Sequence, residues 1–458
     1  MRAPWRAPPP AHAPARRASR APASEPGVGI RGFTANALAR SRPSVPAPLS
    51  LAAASPLAWS AALLAALQGA ALTRVTVRLL PGRHRLPPVA PRPHGRRDTT
   101  VTVIVATLNE ARRIGPCLAG LEAQGAPLLE VLVVDSRSTD GTRELVEAVA
   151  LRDPRFRLLT DAPRPPGWMG KVWALETGLR HARGEWVLGI DADTEPVPGL
   201  VAATVGAARR HRYDVVSFAP CFADQTAGER WLQAAMLTTL VYRVGAAGDS
   251  DADPERVMAN GQCFLARRAV LEREGGYAPA RASWCDDVTL ARHLARRGRR
   301  VGFLDGARLY RVRSYASAAE AWREWGRSFD LSDASAPWRQ YLDCATVTLA
   351  QGLPLLVLAA LAALHLTHVA DVVGALRSLA TPTPSALGLL ALCNLVLLGI
   401  RLGLLAAVRG SYARRGLPFW LSPTADLLAV ARLWLSTVRR PRAWRGRRYD
   451  LLGAATTE

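Results

Sequence analysis

Lysine is almost missing from this chain: Lys171 is the only one, and the other 58 of its 59 basic residues are Arg. A GC-rich genome accounts for that choice of residue but not for where the charge sits. Residues 99–340 hold 32 basic and 30 acidic side chains, and the rest of the chain holds 27 and 7, so nearly all of the formal +22 lies outside the central segment. A nucleic-acid binder needs its basic surface on the folded domain. Here the excess flanks apolar runs, as expected beside anionic headgroups, and nucleic acid is excluded as a partner. Cysteine is also sparse. Positions 117, 221, 263, 285, 344 and 393 form no C-x-x-C and have no His at ligand spacing, which excludes structural zinc and a disulfide framework and suits a domain facing a reducing cytosol.

The remaining texture divides the 458 residues into segments. Residues 1–46 are rich in Ala, Pro and Arg without hydrophobic periodicity and read as a disordered tail; a start codon assigned too far upstream is the alternative. Pro43 to Thr73 carries no charge, which predicts a membrane anchor over 47–73. A secretory signal is the rival reading, but the run is long and Arg74, Arg78, Arg83 and Arg85 follow it, unlike a cleavage region. Residues 99–315 form a central domain, and 316–343 a Trp-containing amphipathic segment expected to lie on the membrane over an acceptor entrance. Residues 344–370 and 384–408 are predicted transmembrane helices, with a kink at Pro354. Residues 416–438 suit an interfacial helix or a third span, and 439–458 a basic cytoplasmic tail. The positive-inside rule places the connector 371–383 outside and the central domain in the cytoplasm, as in a multi-pass protein of the cell (inner) membrane.

Within the central domain, short β-branched runs end in polar clusters. Val101–Ala106 leads into Thr107–Glu110, with Asn109 one of four Asn in the chain; Val131–Val134 leads into Asp135–Gly141; Trp186–Ile190 leads into Asp191–Asp193. Apolar strands alternating with helical patterns imply a parallel sheet covered on both faces, and ligands bind at the carboxyl ends of such strands. Asp191 and Asp193 can hold a hard divalent cation, Mg or Mn, and leave positions for diphosphate oxygens. D-x-D is common by chance; its place after a third polar-capped strand favours the functional reading. Asp135 can accept hydrogen bonds from a base or ribose, while Asp140-Gly141 caps the next helix. Lys171 is a compact charge suited to phosphate. Asp286 and Asp287 open a helical pattern, where acids serve as dipole complements or, beside an apolar pocket, as a general base. The apolar stretch 228–245 is either a core helix or the wall of an acceptor groove.

Thr107–Glu110, Asp135 with Asp140–Thr142, Gly167–Lys171, Asp191–Asp193, Asn260–Gln262 and Asp286–Asp287 occur in the order seen in family 2 glycosyltransferases of GT-A fold, and the chain resembles them over about 100–315. The anchor, the Pro165–Lys171 segment, Arg311–Tyr315, Trp322–Trp325 and Trp444–Tyr449 look most like the membrane-bound subgroup acting on carotenoids and hopanoid-type lipids. The resemblance implies an α/β, Rossmann-like nucleotide-diphospho-sugar transferase domain with flanking transmembrane helices. It implies inverting, metal-dependent transfer from a nucleotide-sugar donor to a membrane lipid or terpenoid hydroxyl. Asn109, Glu110, Asp135, Lys171, Asp191, Asn260 and Gln262 would bind the donor, Asp191 and Asp193 the metal, and Asp287 would be the base. Asp286, standing where many members have Glu, shares that last assignment. The Q-x-x-R-W motif of processive synthases is missing, which argues against polymer extrusion. Transfer to a polyprenyl phosphate, a sugar nucleotidyltransferase and a silent membrane scaffold remain as alternatives; Thr107–Arg112 lacks the Gly-rich basic loop expected of the second.

Overall fold

The computed structural model describes residues 56–439 apart from 97, 225, 249–252, 314, 316 and 370–384, together with the backbone of 443–444 and 447–448. The tail 1–46, the beginning of the anchor, the connector 371–383 and nearly all of the tail 439–458 lie outside the described residues.

Ten strands build the catalytic half: β1 (Val101–Thr107), β2 (Leu128–Asp135), β3 (Phe156–Thr160), β4 (Trp186–Asp191), β5 (Thr194–Pro196), β6 (Val215–Ala219), β7 (Cys221–Phe222), β8 (Cys263–Arg267), β9 (Val301–Asp305) and β10 (Tyr310–Val312). Seven form one sheet in the order β3-β2-β1-β4-β8-β6-β9, and β5-β10-β7 form a small second sheet. Strands β1 and β4 are buried along nearly their whole length, which is why they read as continuous apolar runs rather than alternating ones. The sheet is mixed, not wholly parallel as the strand–helix alternation predicts. β8 runs antiparallel to both β4 and β6, so its entry turn, Asn260–Gln262, arrives at the end where β1 and β4 finish.

Helices α1 (Pro56–Leu79), α2 (Ile114–Glu122), α3 (Thr142–Ala150), α4 (Gly170–His181), α5 (Leu200–Arg210), α6 (Ala227–Val244), α7 (Arg268–Arg273) and α8 (Asp286–Arg296) come before or between the strands. They are followed by α9 (Ala318–Phe329), α10 (Pro337–Val347), α11 (Pro354–Val369), α12 (Ala386–Val408), α13 (Gly416–Trp420) and α14 (Asp426–Val438). The fold is α/β, with a mixed, Rossmann-like sheet and long apolar helices before and after it in the chain. Helix α4 lies tight on β1: a Cβ at Gly178 would come within 2.5 Å of Ile104 Cγ2.

Among the described residues two helical stretches, Pro56–His84 and Ala386–Ser411, are long and apolar enough to cross a membrane. They pack on one another through a reciprocal amide pair: Gln68 Nε2 donates to Asn394 Oδ1 (2.8 Å), and Asn394 Nδ2 donates back to Gln68 Oε1 (2.7 Å). Both side chains are fully buried, and pairing satisfies amides that hydrocarbon could not. The predicted span 344–370 is not one straight helix. Its helix begins at Pro337, passes through a π-helical turn over Thr348–Gly352, and meets Pro354–His365 at 43°. Pro354 has no N–H to continue the ladder, which fixes the break there.

The amphipathic segment 316–343 divides in two. The apolar face of α9, Ala321, Trp325 and Phe329, is buried in a cluster with α6 and α14, so protein covers that part. The start of α10 exposes Trp338, Tyr341 and Leu342, and α13 and α14 expose Leu417, Trp420, Leu427, Leu428, Leu435 and Val438. Residues 416–438 form a short helix, a turn and a second helix rather than one rod.

Filling the α4–β1 contact should be costly. Gly178→Ala is expected to destabilise the protein by about 1–3 kcal/mol through overpacking, read as a fall in Tm of detergent-solubilised protein. An unchanged Tm would show that Ile104 yields.

Candidate active site

The loops after β1 and β2 are knitted together by their own polar residues. Asn109 sits in the left-handed region at φ 56°, which Asn tolerates better than most residues. Its Oδ1 accepts from Thr139 N–H (2.9 Å), and its N–H donates to Ser138 Oγ (2.8 Å). Asp140 accepts from Thr142 N–H and Oγ1 and from Ala111 N–H, so it starts α3 and ties that start to the first loop. Asp135 is wholly buried; it accepts from Thr107 Oγ1 (3.1 Å), Ser138 N–H (2.9 Å), Ser138 Oγ (2.5 Å) and Arg143 Nη1 (3.2 Å).

Beyond these loops lies a cavity of about 520 Å³. Glu110, Lys171, Asp191, Asp193, Asn260, Gln262, Asp286 and Asp287 all line it, although they come from five separate stretches of chain. Asn109 and Asp135 do not line it; both face their own loops. The antiparallel entry of β8 brings in Asn260–Gln262. Gln262 N–H donates to Asn260 Oδ1 (2.9 Å), Asn260 N–H to Ser217 Oγ (3.0 Å), and Asp191 N–H to the Gln262 carbonyl (3.4 Å).

Charge is crowded here. Lys171 Nζ lies 2.6 Å from Asp191 Oδ1. Burial by itself lowers the pKa of this ammonium, but Asp191, Asp286 and Asp287 outweigh it and raise the value above that of a free lysine. Asp286 is pushed up to about 6 by burial and by the charges of Asp287 and Asp191, against the pull of Lys171. Asp193 is pushed up to about 6 by burial and by Asp191, with Lys171, Arg113 and Arg327 opposing. Asp287 is held in orientation: its Oδ2 accepts from Gly261 N–H (2.6 Å), and its Oδ1 from Val288 N–H (2.8 Å) and the Cys285 thiol (3.3 Å).

Asp191 and Asp193 fit a divalent cation. They end one strand side by side, and the like-charge cost that raises Asp193 is one a cation relieves. Among the described residues no group of three or more His, Cys, Asp or Glu is arranged to hold a metal ion. Two protein carboxylates leave the remaining positions to donor oxygens and water.

Several residues at the site escape sequence reasoning. A Cβ on Gly261 would lie 3.1 Å from Lys171 Nζ and 3.4 Å from Asp287 Oδ2, so a side chain there would crowd both the ammonium and the carboxylate. Its position between Asn260 and Gln262 is the signal that could have found it. Arg113, close behind Glu110, ion-pairs with Glu320 of α9 at 3.4 Å. Arg327 also lines the cavity, and in so Arg-rich a chain nothing marks it.

Apolar residues line the same cavity: Leu237, Leu240, Val241 and Val244 of α6, Phe222 of β7 and Val408 at the end of α12, so one cavity joins the carboxylates to a candidate membrane helix.

Comparison with known proteins finds similarity over part of the chain. The model of Glycosyl transferase family 2 matches residues 102–275. A dolichyl-phosphate beta-glucosyltransferase of Trichomonas vaginalis is 38% identical over 104 residues, 21% of this chain and 30% of its own. An undecaprenyl-phosphate 4-deoxy-4-formamido-L-arabinose transferase of Pseudomonas aeruginosa is 29% identical over 134 residues, 29% of this chain and 38% of its own. The chain thus spans well under half the length of these curated relatives. Among solved structures, a mannosyltransferase of Pyrobaculum calidifontis in complex with GDP-Man and Mn2+ is 27% identical, covers 82% of this chain and 99% of its own, and has a TM-score of 0.48. The match to the Glycosyl transferase family 2 model runs from β1 past β8, the stretch whose strand ends carry most of these motifs.

Proposed function

We propose that this enzyme transfers a sugar, with inversion, from a nucleotide-sugar donor to a hydroxyl of a membrane lipid or terpenoid, of the carotenoid or hopanoid kind. The observation that carries the reading is one cavity lined both by Asp191, Asp193, Asp286 and Asp287 and by apolar residues of α6 with Val408 of α12. Lys171, Asn260, Gln262 and Glu110 bind and orient the donor. Asp191 and Asp193 hold the divalent cation, which when bound neutralises charge on the departing diphosphate. Asp287, oriented by two backbone amides, takes the acceptor hydroxyl proton as its oxygen attacks the anomeric carbon from the face opposite the diphosphate. The bond from that carbon to the diphosphate oxygen breaks, and the electron pair leaves with the nucleotide. Asn109 and Asp135 serve this site by fixing the loops around it. The enzyme is held in the inner membrane by α1 and α12, with 99–315 as the cytoplasmic catalytic domain.

The names of the curated relatives favour a second reading, transfer to a polyprenyl phosphate. Against it stands the charge of the cavity: Glu110, Asp191, Asp193, Asp286, Asp287, Asp305, Glu320 and Glu324 face only Arg85, Arg113, Lys171 and Arg327. A phosphate acceptor brings its own anionic nucleophile and needs a cationic cradle, whereas a neutral hydroxyl needs a base.

The decisive experiment measures label passing from a panel of sugar nucleotides into extractable lipid, using membranes supplemented with carotenoid- and hopanoid-containing extract. Wild type should label lipid, and EDTA or Asp287→Asn should abolish it by about 10²-fold or more; equal labelling by mutant and wild type would remove Asp287 as base. Label in a polyprenyl-phosphate sugar would establish the second reading, pyrophosphate exchange a nucleotidyltransferase, and no reaction a scaffold.

Acid should inhibit. A carboxylate raised to about 6 is protonated below that pH, so transfer should fall as pH drops through about 6. Lys171→Met removes the charge that opposes the rise, and the acid limb should move upward by about one unit. A limb that stays in place would show that Asp286 does not govern it. Gly261→Ala should lower kcat/KM at least about tenfold with little change in Tm, because the added methyl crowds Lys171 and Asp287; full activity would show that the turn can shift.

A further inference from the structure

The apolar wall of the cavity is one face of α6, and a buried polar relay grips the opposite face. At about 100° per residue, Leu237, Leu240, Val241 and Val244 point away from Ala235 and Thr239. Gln351, in the π-helical turn between α10 and α11, holds that other side: its Nε2 donates to the Ala235 carbonyl (3.1 Å), and its Oε1 accepts from Thr239 Oγ1 (3.0 Å). The same Nε2 donates to Asp426 Oδ1 (2.8 Å) at the start of α14. Asp426 in turn is clasped by Arg401 of α12, whose Nε and Nη2 reach it at 2.8–3.1 Å, while Nη2 also donates to Ser422 Oγ (3.0 Å). Thr239, Gln351, Arg401, Ser422 and Asp426 are all buried.

Polar groups and a π-turn at such depth are costly features that packing alone does not require. A helix of the same shape could be held by leucines, which slide. Directed hydrogen bonds fix both the rotation and the axial position of α6 relative to α12, and Val408 at the end of α12 lines the same cavity.

We propose that Gln351 is a positioning residue for the acceptor: through Thr239 and Ala235 it sets the rotation of α6, and through Asp426 and Arg401 it registers that helix against α12, so that Leu237, Leu240, Val241 and Val408 form the subsite for the acceptor's hydrocarbon. Gln351 does not touch the acceptor. The inference rests on the lipid-acceptor reading above and assigns the apolar arm of the cavity to the hydrocarbon of that substrate.

The test compares wild type with Gln351→Leu, which keeps volume and loses every hydrogen bond, and with Thr239→Val, a milder change should the first not fold. Both should raise the acceptor KM, by about tenfold in the first, while the Kd of UDP or GDP with Mn2+ stays within about twofold of wild type. Hydrogen exchange over 235–244 should speed up while that over 263–267 does not. The double variant Gln351→Glu with Asp426→Asn, which restores an acceptor toward Thr239 and a donor opposite, should recover part of the acceptor KM that either single change loses. An acceptor KM and nucleotide Kd that weaken together would mark a merely structural role and overturn the proposal, as would unchanged exchange over 235–244. The exchange readout needs no turnover, so a wild type that labels no lipid defeats the functional reading, whereas a silent Gln351→Leu defeats the relay.

Discussion

One ammonium group makes the catalytic cavity possible. Asp191, Asp286 and Asp287 converge on Lys171, and carboxylates removed from water and set near one another would otherwise hold protons instead of charge. Even with Lys171 among them, Asp193 and Asp286 are raised to about 6. Positive charge brought to Asp191 and Asp193 would lower the cost of keeping these carboxylates ionised. Gly261 belongs to this constraint, because a Cβ there would press on both the ammonium and the Asp287 carboxylate.

The second organising element is α6. It leaves the catalytic half through a capping box, with Thr226 and Glu229 satisfying one another's backbone amides, and ends against α1, where Arg78 Nη1 donates to the Tyr242 carbonyl (3.1 Å). Along its length it meets α9, α14 and the π-turn. The boundary between a catalytic domain and a membrane part is thus a shared helix, not a linker.

Much of this was legible in the residues. Polar clusters capping β-branched runs located the strand ends, and the rarity of Lys singled out Lys171. Three things were not. β8 looks like any short apolar strand, and its direction is set by neighbours distant in sequence, so periodicity alone suggested a wholly parallel sheet. Asp135 follows its strand just as Asp191 does, yet Ser138, Thr107 and Arg143 consume its oxygens; composition cannot tell a carboxylate that faces a cavity from one that holds a turn. The amphipathic pattern of 316–343 announced an apolar face without saying what would cover it, and protein covers that of α9.

The end of α12 reaches the cavity, and that has a consequence for where in a cell the enzyme can work. From Ala386 to Val408 the helix rises about 34 Å at 1.5 Å per residue, close to the hydrocarbon thickness of a bilayer. If α12 spans the bilayer as proposed, it is a fixed ruler with the cavity at its end. A thicker or thinner membrane shifts the depth at which an acceptor presents its hydroxyl, while the carboxylates stay at the end of the ruler. On the lipid-acceptor reading proposed above, bilayer thickness would then be a determinant of turnover in its own right, with hydrophobic mismatch acting beside substrate chemistry.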